Sequence, residues 1–355
     1  MFERPLSLHH REHLSHGHRG TSASDGCLEG ERHLPSELSE TAWDAELSQL
    51  QSPAPLLQSW AWGEVQSRAG WRLERVRLGE SGLASVQLRG RPPLERGYVP
   101  RGPVAAGGAA LKALVSWARE RRLARLRVEP EAGVERGPEL RALGFQPAPF
   151  VQPQHTLIVP LAEPDQMLGT FKRGTRYNIR LAERGGITVV EGRDAAEMER
   201  QAAASASRQR INLPGRAYFE LLLDRLPDAR TYVAQFEGEA VSALLVAHHD
   251  GRAYDLYSGS NGRHARLKPA YATKWAALTG AFRAGCRDYD LWGVSPGPDR
   301  SHPWYGLWEF KSGFGGELVE YVGCWDLVLG EVRQAVAEVG ERARRRVGKL
   351  LRKGD

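Results

Sequence analysis

The feature that most constrains the fold is a pattern that occurs twice. Residues 118–128 read Ala-Arg-Glu-Arg-Arg-Leu-Ala-Arg-Leu-Arg-Val, and residues 281–291 read Ala-Phe-Arg-Ala-Gly-Cys-Arg-Asp-Tyr-Asp-Leu. Each segment is predicted to be the end of a helix, a tight basic turn and the beginning of a strand. The copies lie 163 residues apart. We therefore predict an internal duplication of one mixed α/β unit.

Length and composition agree with one large or two ordinary domains. The chain has 355 residues, of which 41% are hydrophobic and 26% are charged, as is typical of a soluble globular protein. No apolar run approaches the roughly 20 residues that span a bilayer, and no secretory signal begins the chain. Cys27, Cys286 and Cys324 are too widely spaced for a disulfide framework or a zinc site. We therefore expect a cytoplasmic protein without a metal.

Composition and predicted elements divide the chain into domains and flanking segments. Residues 1–38 are polar and rich in histidine, and they are predicted to be a disordered extension. The first α/β domain is predicted over 39–153 and the second over 154–317, with a proline-rich stretch between them. We expect the segment 318–340 to complete the first domain, and residues 341–355 to form a basic tail.

Local patterns predict individual elements around the candidate site. Ser59 is a candidate N-cap of a helix. One helix is predicted near 165–185 and another from about 268 to 285. Strands are predicted near 306–312 and 318–328, before a C-terminal helix.

The positive charge of the chain is local. The formal net charge is +6, and the last fourteen residues alone carry that excess, so residues 1–341 are neutral overall. A basic tail attracts phosphate, either of a nucleic acid or of an anionic membrane face. The alternative is a solvated, charge-rich helix end.

Several enzyme classes are disfavoured because their motifs are absent from the sequence. The chain has no G-x-S-x-G, H-E-x-x-H, Walker A, G-x-G-x-x-G or C-x-x-C motif. Their absence argues against a hydrolase with a nucleophile elbow, a zinc enzyme, a P-loop NTPase and a dinucleotide oxidoreductase.

A first candidate site is a basic stripe in residues 171–184. If this segment is helical, its arginines follow one another at intervals of three, four and four residues, along one face. Such a stripe can track phosphates of a nucleic acid or of an anionic surface; the alternative is a solvated face with salt bridges. The candidate residues are Lys172, Arg173, Arg176, Arg180 and Arg184.

A second candidate is Lys311, which follows aromatic residues and precedes a glycine-rich turn. A partly desolvated ammonium group can bind a carboxylate or stabilise an oxyanion in acyl transfer; the alternative is an ordinary strand lysine. The chain has seven lysines against forty-two arginines. An interior lysine is informative in such a chain, because arginine cannot replace a compact point charge.

A third candidate combines Arg216 and Tyr218 with Tyr254 and Tyr257. Arginine and tyrosine together can recognise a phosphate or a carboxylate through charge-assisted hydrogen bonds. The alternative is a set of core tyrosines beside an exposed arginine.

Five segments carry a resemblance that covers about residues 40–330. They are Leu-Gln-Ser-Trp-Ala-Trp-Gly at 57–63, Thr-Arg-Tyr-Asn-Ile-Arg-Leu-Ala-Glu-Arg-Gly-Gly-Ile at 175–187, Leu-Tyr-Ser-Gly-Ser at 256–260, Tyr-Asp-Leu-Trp-Gly-Val at 289–294 and Phe-Lys-Ser-Gly-Phe-Gly-Gly at 310–316. In this order they resemble the FemX/FemAB family of aminoacyl-tRNA-dependent transferases, which form peptidoglycan interpeptide bridges. The resemblance implies an α+β fold of two tandem GNAT-like domains, without the helical coiled-coil arm of some members.

The resemblance also implies substrates and roles for residues. The donor would be an aminoacyl-tRNA carrying glycine, alanine or serine, with no other cofactor. The acceptor would be the stem-peptide side-chain amine of lipid II or of a UDP-linked muropeptide, reached by peripheral association with the inner membrane face. Lys311 matches the family lysine that stabilises the tetrahedral intermediate, and Phe310 matches its aromatic neighbour. Arg216 and Tyr218 resemble residues that contact the acceptor phosphates, Tyr254 is a further candidate, and a family lysine corresponds to Gln66.

Two alternatives stay open at this point. One is an acyl-CoA-dependent N-acyltransferase of the same fold, which needs a glycine-containing loop at a helix start to bind the pyrophosphate. The segment from Gly262 lies in the right place but lacks the expected second glycine. The other is a non-catalytic module that binds tRNA or a cell-wall precursor.

Overall fold

Two seven-stranded sheets, each with parallel and antiparallel strands, organise the chain. The computed structural model describes residues 38–105, 108–209, 213–336 and 339. The predicted N-terminal extension, apart from Leu38, and the basic tail at 341–355 lie outside the described residues.

The first sheet uses the N-terminal part of the chain and one strand near the C-terminus. Its strands are β1 (Arg72–Arg77), β2 (Gly82–Arg89), β3 (Arg96–Arg101), β4 (Val104–Ala105), β5 (Arg125–Pro130), β6 (Gln146–Ala148) and β14 (Cys324–Val328). They lie in the order β1-β2-β3-β5-β14-β6, and β4 pairs with β2. The helices of this part are α1 (Glu40–Leu50), α2 (Trp60–Arg68), α3 (Ala109–Glu120) and α4 (Gly137–Ala142).

The second sheet is built from the rest of the chain. Its strands are β7 (His155–Pro160), β8 (Thr188–Gly192), β9 (Arg230–Phe236), β10 (Glu239–His249), β11 (Arg252–Ser260), β12 (Asp288–Gly293) and β13 (Glu317–Glu320). They lie in the order β13-β7-β12-β11-β10-β9-β8. The helices are α5 (Pro164–Thr170), α6 (Arg173–Arg184), α7 (Ala195–Gln209), α8 (Arg216–Arg225), α9 (Pro269–Arg283) and α10 (Tyr305–Lys311).

Each sheet contains one copy of the predicted repeat. In the first sheet α3 connects β3 to the parallel strand β5. In the second sheet α9 connects β11 to the parallel strand β12. The repeated sequence segments therefore form the ends of α3 and α9 with the strands that follow them. The predicted mixed α/β architecture is confirmed.

The chain returns to the first sheet close to its C-terminus. Strand β13 pairs with β7 in the second sheet, whereas β14 pairs with β5 and β6 in the first. The change of sheet therefore lies between Glu320 and Cys324, and the boundary predicted after residue 317 cuts through β13. The division of the chain into two domains stays a prediction.

Buried charged residues join the two sheets. Arg252 at the start of β11 contacts Asp288 and lies 3.3 Å from a carboxylate oxygen of Glu131, which follows β5. Arg101 at the end of β3 is buried and donates a hydrogen bond of 2.7 Å to the carbonyl of Pro153. Burial raises the pKa of Glu131 to about 7, and the opposite charges of Arg101 and Arg252 limit the rise. These contacts fix the beginning of β11 and β12, beside the candidate site.

Three predicted elements differ from the structure, and one helix start is confirmed. The strand predicted near 318–328 is two strands, β13 and β14, which belong to different sheets. The side chain of Ser59 accepts a hydrogen bond of 3.2 Å from the backbone N–H of Trp62, so Ser59 caps α2 as predicted. The helix predicted over 165–185 is two helices, because the backbone is extended at Phe171 and Lys172. This break buries the Phe171 ring and lets the Lys172 N–H bond the carbonyl of Gly313 at 2.9 Å.

The strand predicted near 306–312 is wrong, because these residues form α10 and a following 3₁₀ turn. Aromatic residues favour strands locally, which is the preference that the prediction followed. In the folded chain the helical turn brings the rings of Phe310 and Phe314 to 5.3 Å from each other. Tertiary packing therefore outweighs the local preference of a short apolar run.

Helix α7 lies so close to β11 that Gly259 has no room for a side chain. A Cβ at Gly259 would overlap the backbone of Gln201, whereas Gly192 on β8 faces open space. We expect Gly259→Ala to lower the free energy of unfolding by about 1–3 kcal/mol, and Gly192→Ala to change it by less than about 0.5 kcal/mol. Urea denaturation followed by tryptophan fluorescence measures both values. Equal stability of the two variants would contradict this packing.

Candidate functional site

The candidate site is an opening between β11 and β12. These strands pair in parallel only over residues 252–254 and 288–290, although both continue further. Their counterparts in the first sheet, β3 and β5, stay paired over all six residues of each strand. The second sheet therefore has a gap between two parallel strands where the first sheet has none.

A distortion in β12 shapes one side of this opening. Trp292 has a left-handed backbone conformation (φ 59°), and its N–H donates a hydrogen bond of 2.7 Å to the carboxylate of Asp290. The pairing of β12 with β7 shifts register between Asp290 and Gly293. Backbone distortions of this kind are typical of functional sites. Here the distortion makes the carbonyl of Gly293 available to a side chain outside the sheet.

Lys311, the predicted catalytic residue, forms a hydrogen bond to that carbonyl. It is the last residue of α10, and its Nζ donates a hydrogen bond of 3.0 Å to the oxygen of Gly293. The pKa of Lys311 is lowered to about 8: burial is the main cause, Asp255 and Asp290 oppose the shift, and Lys274 adds to it. An ammonium group has three donor hydrogens, so two remain for a substrate.

Two residues that the sequence analysis missed are close enough to Lys311 to influence its pKa. Lys274 on α9 donates a hydrogen bond to the Oδ2 of Asp255 on β11, and these residues are only 3% and 7% exposed. The Oδ1 of Asp255 is buried and has no hydrogen-bond partner among the described residues. Two lysines and two buried carboxylates, Asp255 and Asp290, thus influence the site. The ammonium group of Lys311 is the positive charge that can stabilise an oxyanion there.

One signal in the sequence could have found Lys274. It is one of only seven lysines, and it is predicted to lie within a helix rather than in a tail. Asp255 has no comparable signal, because its partner is 19 residues further along the chain on a different element.

Aromatic rings pack against the C-terminal end of α10. The ring of Phe310 contacts Tyr271 edge-on at 4.9 Å and Phe314 at 5.3 Å. Phe310 therefore holds α10 against the core of the second sheet, next to Lys311.

Tyr218 and Tyr257 form a separate group. The Tyr218 hydroxyl accepts a hydrogen bond of 3.3 Å from the side chain of Gln66, and its ring lies 6.2 Å from that of Tyr257. A register shift between β10 and β11 leaves Leu256 unpaired, and this bulge places Tyr257 on the sheet face of Tyr254, opposite Asp255. The predicted substrate residues are therefore divided between the two faces of the second sheet.

Arg216 and Tyr254 occupy contrasting environments. Arg216 begins α8, is largely exposed and forms an ion pair of 2.7 Å with Glu220. Tyr254 is 1% exposed, and its hydroxyl donates a hydrogen bond of 3.2 Å to the carbonyl of Ala54. The structure thus places Tyr254 in the core between the two sheets, not at a surface that a substrate reaches.

The basic segment 173–184 is a helix, as predicted, but the side chain of Arg176 is not exposed with the other arginines. Arg176 is half-buried and donates a hydrogen bond of 2.5 Å to the carbonyl of Phe171. The side chains of Arg173, Arg180 and Arg184 are exposed, as is Lys172.

Two general features of the described residues bear on the site. Within the described ranges, no cluster of three or more His, Cys, Asp or Glu side chains is arranged to hold a metal ion. In the same part of the chain, no helix is both long enough and apolar enough to cross a membrane.

Comparisons with known sequences point to one family. The model of the FemAB family matches residues 224–341. A lipid II:glycine glycyltransferase of Staphylococcus saprophyticus is 24% identical to this chain, over 77% of this chain and 88% of its own length.

Comparisons with solved structures identify the fold. The crystal structure of FemX aligns with a TM-score of 0.75 at 22% identity, over 85% of this chain and 99% of that chain. A tandem GNAT protein from the clavulanic acid biosynthesis pathway aligns with a TM-score of 0.55 at 14% identity, over 84% of this chain and 98% of that one. The predicted fold of two tandem GNAT-like units is confirmed, and among the described residues the longest helices have 15 residues, too short for a coiled-coil arm.

The family model, the relative and the shared fold point to the same family as the sequence resemblance. The chain is therefore similar to the FemAB family, whose model matches residues 224–341.

Proposed function

We propose that this protein transfers an amino acid from aminoacyl-tRNA to the side-chain amine of the stem peptide of a peptidoglycan precursor. The observation that carries the proposal is the Nζ of Lys311 in the opening between β11 and β12, beside the buried Asp255–Lys274 pair. A relative named lipid II:glycine glycyltransferase supports lipid II as the acceptor and makes glycine the first donor to test. Alanine, serine and a UDP-linked acceptor belong to the same proposal.

The chemistry requires little beyond positioning and one positive charge. The neutral acceptor amine attacks the ester carbonyl carbon of the aminoacyl-tRNA, and the carbonyl oxygen becomes an oxyanion. The Lys311 ammonium group stabilises that oxyanion. The C–O bond to the terminal ribose then breaks, the amide forms, and the proton lost by the amine passes to the ribose oxygen. Because the ester is already activated, this scheme uses neither a covalent enzyme intermediate nor a further cofactor.

The acceptor contacts are proposed on the other group of residues. Arg216 is exposed at the start of α8, and Tyr218 and Tyr257 lie together next to Gln66. A guanidinium group and two phenols can bind the diphosphate that links the precursor to its lipid or nucleotide. Peripheral contact with the cytoplasmic membrane face would bring a lipid-linked precursor to them. The basic tail at 341–355, outside the described residues, is a candidate for that contact.

Replacement of Lys311 tests the assignment of the catalytic charge. We expect Lys311→Ala to reduce transfer of glycine from glycyl-tRNA to lipid II by about 100-fold or more, because the oxyanion loses its counter-charge. Lys112→Ala, which removes an exposed lysine of α3, is the matched control and should leave the rate unchanged. Mass spectrometry of the muropeptide measures the product.

The same assay separates the alternative functions. Unchanged transfer by Lys311→Ala would overturn the role of the lysine. Acylation of an amine from acetyl-CoA, with no transfer from any aminoacyl-tRNA, would identify an acyl-CoA-dependent N-acyltransferase. Binding of tRNA or precursor without any transfer would identify a non-catalytic module.

The pH dependence of transfer tests the electrostatics of the site. Lys311 acts in its protonated form and its pKa is lowered to about 8, so we expect the rate to fall as the pH rises through about 8. In Asp255→Asn the lysine loses an opposing negative charge, and the alkaline decline should move to lower pH. Initial rates between pH 6 and about pH 9.5 measure both profiles. A decline at the same pH in both proteins would contradict the coupling between Asp255 and Lys311.

A further inference from the structure

Helix α6 exposes an aromatic ring among positive charges. Tyr177 is 56% exposed, and Arg173, Arg180 and Arg184 on the same helix are also exposed. The spacing of four, three and four residues places these side chains next to one another along one face. Among the described residues, none of these three arginines forms an ion pair with a carboxylate; Arg184 only donates to the carbonyl of Arg180, at 3.3 Å.

The beginning of α6 is held against the residues that follow Lys311. The Nζ of Lys172 donates a hydrogen bond of 2.9 Å to the hydroxyl of Ser312, and its backbone N–H donates to the carbonyl of Gly313 at 2.9 Å. A Cβ at Gly313 would overlap the hydroxyl of Thr175 on α6, so the helix and this turn are in close contact. The charged face of α6 therefore begins next to Lys311 and extends away from it for about 18 Å, the length of twelve helical residues.

The composition of this face identifies its ligand class. An exposed ring beside unpaired guanidinium groups is typical of surfaces that bind single-stranded nucleic acid, where bases stack on the ring and phosphates meet the cations. A helix that binds a lipid surface instead places apolar side chains in the headgroup region. The apolar residues Ile179 and Ala182 of α6 are buried against the protein. The exposed face thus favours RNA over a membrane.

We propose that α6 binds the unpaired 3′ end of the donor tRNA. Tyr177 stacks on an unpaired base, and Arg173, Arg180 and Arg184 neutralise the neighbouring phosphates. The aminoacylated terminus lies at the Lys172 end of the helix, beside Lys311, and the base-paired stem lies towards Arg184. This inference rests on the proposed function for the identity of the donor, but the binding that it predicts does not require transfer.

The experiment compares two RNA hairpins, one with an unpaired 3′ tail like that of tRNA and one with a blunt end. Fluorescence anisotropy measures their binding to the wild-type protein, Tyr177→Ala, Tyr177→Phe and Arg180→Gln. We expect Tyr177→Ala to weaken binding of the tailed hairpin by about 5- to 100-fold, because one stacked base is lost. Binding of the blunt hairpin should be weaker and insensitive to this change, and Tyr177→Phe should restore binding.

Arg180→Gln should weaken binding of the tailed hairpin and reduce its dependence on salt. The matched control is Arg91→Gln, which removes an exposed arginine from the connection between β2 and β3 and should have no effect. Because the variants change exposed side chains, loss of binding does not reflect loss of folding; thermal melting checks this.

Three binding outcomes and one kinetic outcome would overturn the inference. One is equal binding of the tailed and blunt hairpins, and another is unchanged binding in Tyr177→Ala. The third is loss of binding to vesicles of anionic phospholipid in Arg180→Gln while RNA binding is retained, which would assign α6 to a membrane. Aminoacyl transfer with an unchanged KM for tRNA in Tyr177→Ala would reject the inference and retain the proposed function. Tail-dependent binding without transfer from any aminoacyl-tRNA would retain the inference and reject the proposed function.

Discussion

The buried ion pair between Asp255 and Lys274 is the interaction on which the site depends. A buried charge is costly unless an opposite charge and hydrogen bonds accompany it. The pair joins β11 to α9 within the second sheet, close to where β11 and β12 separate. One oxygen of Asp255 stays without a hydrogen bond among the described residues, and the carboxylate opposes the effect of burial on the pKa of Lys311. The pair therefore helps to keep Lys311 charged in a largely desolvated position.

The two sheets contribute unequally to this arrangement. The first sheet keeps its parallel strands paired and supplies Arg101 and Glu131, which contact or face the beginning of β11 and β12. The second sheet opens beyond those contacts and receives Lys311 from α10. A duplicated unit has thus diverged into one copy that supports and one copy that carries the charged site. The return of the chain from β13 to β14 ties the two copies together.

Sequence reasoning succeeded where a signal is local. The capping side chain of Ser59, the helical spacing of the basic segment and the repeated helix–turn–strand pattern depend on residues a few positions apart. It failed at α10, where aromatic residues with a strand preference form a helix because Phe310 and Phe314 pack on the core of the second sheet. It also could not place the tyrosines, since simple alternation along β11 assigns Tyr254 and Tyr257 to opposite faces, whereas the bulge at Leu256 puts them on the same face.

The sequence by itself determined the resemblance to the FemAB family, the mixed α/β class, the repeated pattern and the choice of Lys311 as the candidate catalytic residue. These properties are encoded in short motifs, in periodicity and in the scarcity of lysine. Only the tertiary structure decided that Asp255 and Lys274 influence the pKa of Lys311, that Tyr254 lies in the core, and that α6 begins next to the residues that follow Lys311. Each of these facts depends on strand register, on a bulge or on contacts between residues far apart in the chain, and no local pattern in a single sequence specifies such contacts.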